Sequence, residues 1–436
     1  MGSFRYSIFK KKVRLIENYL YPLWRRRNNS HHGHKFYEGV RGFTKRFMRI
    51  ESFTVLSHDE YFKCSEHSSR TVVKSGREGC YANSVFYGDK EKQKLFTIPM
   101  KDLYLYTHSN VYICGDSDLV INQDKGMAIN DHLYNLDKNL RYHDSIFVGK
   151  KGNMILTAPI KYKTARRIKS GIMISCLYSY NYFHAVCDNL IRLLALKDCH
   201  IPNNVPIIVD YNNYKYDSLK KILETLVADY ERELVVIKPR ESLFVEHLYY
   251  ISHINSFVLD RVDWSEGLLQ DYTVDCNYML ELRDKLLPLK SCDVHYGNRV
   301  FISRKNIKRR SYNEDEIKEE LSSYGFVAVS PEELSFEEQV ALFNNADYIV
   351  ASSGAALTNL IFCKPGAKIL IIERMRLKSS SLYSLIPTIV GANCMHFPAI
   401  NDVKHVYSGN HNSFRVDVKQ FTKAFREFFE IEAIDN

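Results

Sequence analysis

Between residues 299 and 373 the chain repeats one alternation: a short apolar run, a polar turn, then a stretch whose apolar residues recur three and four apart. The runs at 300–303, 326–329, 348–352 and 368–372 suit strands buried on both faces of a parallel sheet, and the stretches between them suit helices. The order is βαβαβαβ. Helix ends agree with it. Asn313 precedes a Glu-rich first turn, Gly325 lies just past the last periodic residue, and Ser335 with Glu338 spells a capping box. The pattern predicts a Rossmann-type half.

A second α/β pattern starts at 171, with strands expected at 171–178, 205–210, 233–238 and 247–252 and helices over 181–196 and 218–227. A helix over 274–287 and a loop over 288–297 bridge to the later half. Residues 51–160 alternate short β-like runs with turns. The tail at 418–431, with Phe421, Phe425, Phe428 and Phe429, reads as an amphipathic helix packing back on the body. The expected divisions are an extension at 1–50, an α/β domain at 51–290, a nucleotide-binding domain at 291–410 and a terminal helix at 411–436.

Candidate chemistry sits at strand ends. There is no G-x-G-x-x-G and no P-loop lysine motif. The third strand of the later half instead runs into Ser353-Gly354-Ala355-Ala356, where small residues would let a phosphate approach the N–H groups opening a helix. Arg304, Lys308, Arg309 and Arg310 follow the first strand, at the carboxyl edge where open α/β sheets bind ligands. Taken singly, the turn reads as close packing and the basic cluster as a solvated face; at adjacent strand ends they point to a diphosphate site. Asp116-Ser117-Asp118 matches a D-x-D metal motif, but its place between two β runs favours a hairpin turn.

Charge is concentrated at one end. Residues 1–50 carry 13 Lys or Arg against 2 acidic residues, so the chain's +9 leaves the other 386 residues slightly negative. Within 10–27, Leu15, Ile16, Tyr19, Leu20, Leu23 and Trp24 lie between basic clusters, which suits an anionic membrane surface; a solvated tail or nucleic-acid arm fits equally. Because the rest is not basic, a nucleic-acid-binding protein is disfavoured. No apolar stretch is long enough to span a bilayer, and no signal-peptide core is evident. Ten cysteines show no C-x-x-C and no His/Cys ligand spacing, so no structural metal is expected. Cys176, Cys187 and Cys363 read as buried thiols, and the cytosol as the compartment.

The run R-V-F-I-S-R, the paired arginines, P-E-E-L-S-F-E-E-Q-V, G-A-A-L-T-N and a closing strand with glutamate resemble the catalytic domain of glycosyltransferase family 61. Residues 181–196, NYFHAVCDNLIRLLAL, are similar to that family's Y-x-H-x-x-x-D-x-L-P-R-L helix. The resemblance covers less than half of the chain. It implies a GT-B architecture, two Rossmann-type domains facing across a cleft, and an inverting, metal-independent transferase of the surface-polysaccharide kind. The implied donor is a nucleotide sugar, of the UDP-linked kind, and the acceptor a glycan or lipid-linked glycan; no cofactor is implied. The implied donor-side residues are Arg304, Arg309, Arg310, Ser353, Gly354, Ala355, Ala356, Thr358, Asn359 and Glu373, with Asn181 and Arg192 on the substrate side. One position departs: Ser353 stands where the family usually carries histidine. A silent glycan- or nucleotide-binding homologue is therefore the alternative. His184 and Asp188, four apart on a helix, share one face. Spacing alone fits a structural pair; the family motif, which contains both, points to His184 as base and Asp188 as its partner, the reverse assignment remaining open.

Overall fold

The computed structural model describes residues 50–432 except 67, 136–141, 143, 176, 258–270, 292–295, 305–310, 377–380 and 401–413. The basic extension, Cys176 and the Lys308–Arg310 cluster therefore lie outside the described residues.

The later half is a five-stranded parallel sheet of Arg299–Ile302, Val327–Val329, Tyr348–Ser352, Lys368–Met375 and Asn393–Ile400. Its spatial order is second, first, third, fourth, fifth, so the winding reverses between the first and third strands. Four strands fall where the apolar runs place them, and the fifth was not expected. Capping follows the sequence in part. Ser335 and Glu338 form the reciprocal box, and Gly325 takes a φ of 74°. Asn313 occupies its N-cap, but its amide donates to Glu316 and to the Val416 carbonyl.

The earlier half is built on an eleven-stranded mixed sheet. Leu234–Ile237, Ile207–Asp210, Arg166–Met173 and Ser242–Ile251 run parallel in that spatial order; antiparallel pairing begins where Ser242–Ile251 meets Leu103–Cys114. The strand expected at 171–178 lies at Arg166–Met173. Its first residues are largely exposed and carry Arg166, Arg167 and Lys169, so only the buried end reads as apolar.

The whole is mixed α/β. One apolar core runs through both halves, joining Ile172, Leu190 and Val209 to Val300, Val340 and Leu360. A second core forms under the C-terminal helix, Val418–Phe429, whose Phe421, Phe425 and Phe429 are buried against Phe326 and Phe397, as the aromatic spacing predicts. Two further ties cross the molecule. Cys80 is disulfide-bonded to Cys276, which no sequence signal announced. Residues 85–93 dock on the fifth strand of the later sheet: His396 N–H donates to the Val85 carbonyl, Tyr87 N–H to the His396 carbonyl, and Cys394 N–H to the Gln93 side chain.

Candidate active site

The chain leaves Arg166–Met173 at its carboxyl end and enters a helix at Tyr182. Asn181 caps it, accepting from Phe183 N–H at 3.0 Å; this fixes the side chain expected on the substrate side as a helix start. The helix is α over Tyr182–His184, π over Ala185–Asn189 and 3-10 over Leu190–Asp198. A π turn inside a helix is frequent at functional sites. Across it His184 Nδ1 lies 2.6 Å from Asp188 Oδ2, with the two side chains 20% and 11% exposed. An ionised carboxylate only accepts, so in this bond Nδ1 is the donor and Nε2 is the ring nitrogen turned away from Asp188. The Tyr178 ring, centred 5.1 Å away, flanks the imidazole.

Arg192 lies further along the same helix and is fully buried. Its guanidinium donates to the carbonyls of Ile174, Ser175 and Ile251, joining the ends of two parallel strands over the Tyr250 ring. That enclosure gives it a framework role and leaves no path to the expected substrate contact in this conformation.

In the later half, Arg304 and Gly354 follow the first and third strands, on either side of the point where the winding reverses. This crevice is where doubly wound sheets bind ligands. Arg304 Nη1 donates to the Ser353 carbonyl at 2.7 Å, while Ser303 Oγ and Arg304 N–H both donate to Glu314. Gly354 is extended, with φ 173°, not the tight turn expected. A Cβ there would lie 3.6 Å from the Arg304 guanidinium, an ordinary contact distance, so the arginine passes beside this glycine without requiring one. The 3-10 helix Ala355–Phe362 starts beside it, and Ala355 and Ala356 are half-buried at its opening.

Thr358 and Asn359 are buried. The Thr358 hydroxyl donates to the Ala355 carbonyl, and the Asn359 amide donates to Gln339. Asn359 Oδ1 accepts from the Tyr182 hydroxyl at 2.7 Å, so the helix bearing His184 is fastened to the helix opening at Gly354. Burial pushes the Tyr182 phenol far above its usual range, keeping it a donor. Glu373 lies in the C-terminal part of the fourth strand, almost fully buried, with Oε1 3.6 Å from His396 Nδ1. Among the described residues, Glu373 Oε1 and the Ser352 hydroxyl on the adjacent strand have no hydrogen-bond partner, as suits groups facing a polar ligand. Arg309 and Arg310 lie outside the described residues. Tyr182, already inside the quoted motif, and His396, on the unexpected strand, are the residues the sequence reading left without a role.

The D-x-D forms the expected hairpin, its flanking strands pairing Tyr112 with Ile121. Asp116 sits at φ 58° and accepts from Ser179 Oγ, and burial pushes its carboxyl up. Asp118 is buried and takes the Tyr142 hydroxyl and His132 Nδ1. The two carboxylates thus serve different neighbours.

Against known proteins, the profile of the family described as Glycosyltransferase 61 matches residues 182–370. No curated protein matches the chain. The matched segment begins at the tyrosine that donates to Asn359 and holds His184, Asp188, Arg304 and Gly354. Residues 182–370, under half of the chain, match glycosyltransferase family 61, and that match supports a glycosyltransferase.

Proposed function

We propose that the protein moves a sugar from a nucleotide-sugar donor, of the UDP-linked kind, to a hydroxyl of a growing surface glycan with inversion at the anomeric carbon. His184 Nε2 removes the acceptor proton as the hydroxyl oxygen attacks; Asp188 orients the ring and stabilises the imidazolium. The sugar–phosphate bond breaks on the opposite face, and the departing diphosphate takes up the negative charge. Arg304 and the positive end of the Ala355–Phe362 helix stabilise it without a bridging divalent ion, aided by Arg309 and Arg310. Glu373 and Ser352 face the nucleotide moiety. The observation that carries this reading is the Tyr182–Asn359 hydrogen bond, which joins the base-bearing helix to the helix beside Arg304. A GT-B reading is supported by the five-stranded parallel sheet and by the parallel portion of the earlier sheet.

The test is transfer from a panel of nucleotide sugars to glycan acceptors, with product anomers read by NMR and without added manganese or magnesium. His184→Ala should lower turnover by at least about a hundredfold while nucleotide binding persists. A folded His184→Ala protein with wild-type turnover, or strict dependence on an added divalent ion, would overturn the respective assignment.

We also read the basic, aromatic segment at 10–27 as a contact with anionic lipid at the inner face of a membrane. No helix among the described residues is long and apolar enough to cross one. Vesicle sedimentation with and without residues 1–30 decides it. Against a cytosolic face stands the Cys80–Cys276 disulfide, a bond of oxidising compartments; non-reducing mass spectrometry of protein taken from its host settles the compartment.

A further inference from the structure

Three side chains distant in sequence meet in the earlier half. Asp118 follows the hairpin turn, His132 lies in the short helix Asp131–Tyr134, and His253 comes just after the end of Ser242–Ile251. One ligand atom from each lies within 4.8 Å of the others. His132 Nδ1 and Asp118 Oδ2 are 3.1 Å apart, close to the roughly 3.3 Å between neighbouring ligands of a tetrahedral ion with bonds of about 2.0 Å.

Two features distinguish this cluster from a histidine–carboxylate pair with a bystander. Asp118 is buried, and its partners among the described residues are neutral donors and His132, with no lysine or arginine paired to it, so a bound cation would complete the compensation of its charge. The ring nitrogens of His253 engage no hydrogen bond among the described residues, although its ring packs against His132 at 4.9 Å. The other Asp118 oxygen accepts from Tyr142, the kind of outer partner that orients a ligating carboxylate. His132 and His253 also line a small pocket with Asp188, Tyr178 and Asn255.

We propose that Asp118, His132 and His253 bind one divalent transition-metal ion of the zinc class, with an open coordination position facing the pocket that Asp188 lines. Two imidazoles and a carboxylate are a donor set such ions favour, and three protein ligands leave one position for an oxygen of water or a hydroxyl. This ion is separate from the donor diphosphate: its ligands belong to the earlier half, Arg304 and Gly354 to the later one. The sequence reading expects no metal because these ligands show no local spacing.

The full chain, stripped with a chelator and returned to buffer, is titrated with Co2+ and read by the visible bands of a tetrahedral ion, with bound zinc counted separately by mass spectrometry. One ion per chain is expected. His253→Ala, at a half-buried position, should weaken binding by at least about a hundredfold, beyond the 10–100-fold typical of losing an outer-shell partner. His253→Gln provides a second variant, with circular dichroism confirming that each is folded. No cobalt bands and no retained zinc in the wild-type chain, or equal binding in a folded His253 variant, would overturn the proposal. Neither readout depends on sugar transfer.

Discussion

Changing Tyr182 to Phe removes one oxygen and tests whether the two halves of the site are held in register. The Tyr182 hydroxyl is the donor to Asn359 Oδ1, and Asn359 is 1% exposed, so water cannot replace it. An acceptor left dry costs about 1–3 kcal/mol. Asn359→Ala also loses the bond to Gln339, so only a double-mutant cycle isolates the tyrosine term. Its coupling energy should be roughly 0.5–3 kcal/mol, the range for partners in one network. His184 is two residues from Tyr182, and small displacements of catalytic groups are costly, so turnover should fall by about tenfold with little change in the KM for donor. Urea unfolding supplies the stabilities and initial rates the kinetics. Wild-type stability in Tyr182→Phe together with an additive cycle would refute the fastening.

Arg304→Ala should reduce kcat/KM for the donor by about 2–4 kcal/mol, and Arg304→Lys should recover only part of it because an ammonium lacks the planar fork; unchanged kinetics in steady state would remove Arg304 from the donor site. Burial, reinforced by the charge of Asp118, pushes the Asp144 carboxyl up to about 7. The folded chain therefore holds a proton that the unfolded chain releases near the ordinary value of 3.8, and stability declines as pH rises from about 4 through 7. Asp144→Asn should flatten that part of the stability profile, and parallel urea midpoints for the two proteins from pH 5 to 8 would show that Asp144 titrates normally.

The later half was legible because parallel strands buried on both faces leave uninterrupted apolar runs such as Tyr348–Ser352. Its fifth strand, Asn393–Ile400, escaped because His396 and Pro398 interrupt its run, and proline argues against a central strand. The His184–Asp188 pair was readable from a four-residue spacing. By contrast, the Tyr182–Asn359 bond, the Cys80–Cys276 disulfide and the meeting of His253 with Asp118 join residues more than a hundred positions apart, where no local periodicity records the contact. Arg192 was misleading for a related reason: its residue type suits a ligand, but burial commits it to carbonyls at strand ends.

The segment docked on Asn393–Ile400 bears on how the enzyme could admit and release substrate. The hairpin of Glu78–Ala82 and Leu95–Pro99 frames that segment, and Cys80 anchors the hairpin to the helix Cys276–Leu286. The same stretch of chain is thus attached to the later sheet and covalently to the earlier half. A rigid-body swing that widened the gap between Arg304 and His184 would have to turn about this strap or break its backbone hydrogen bonds.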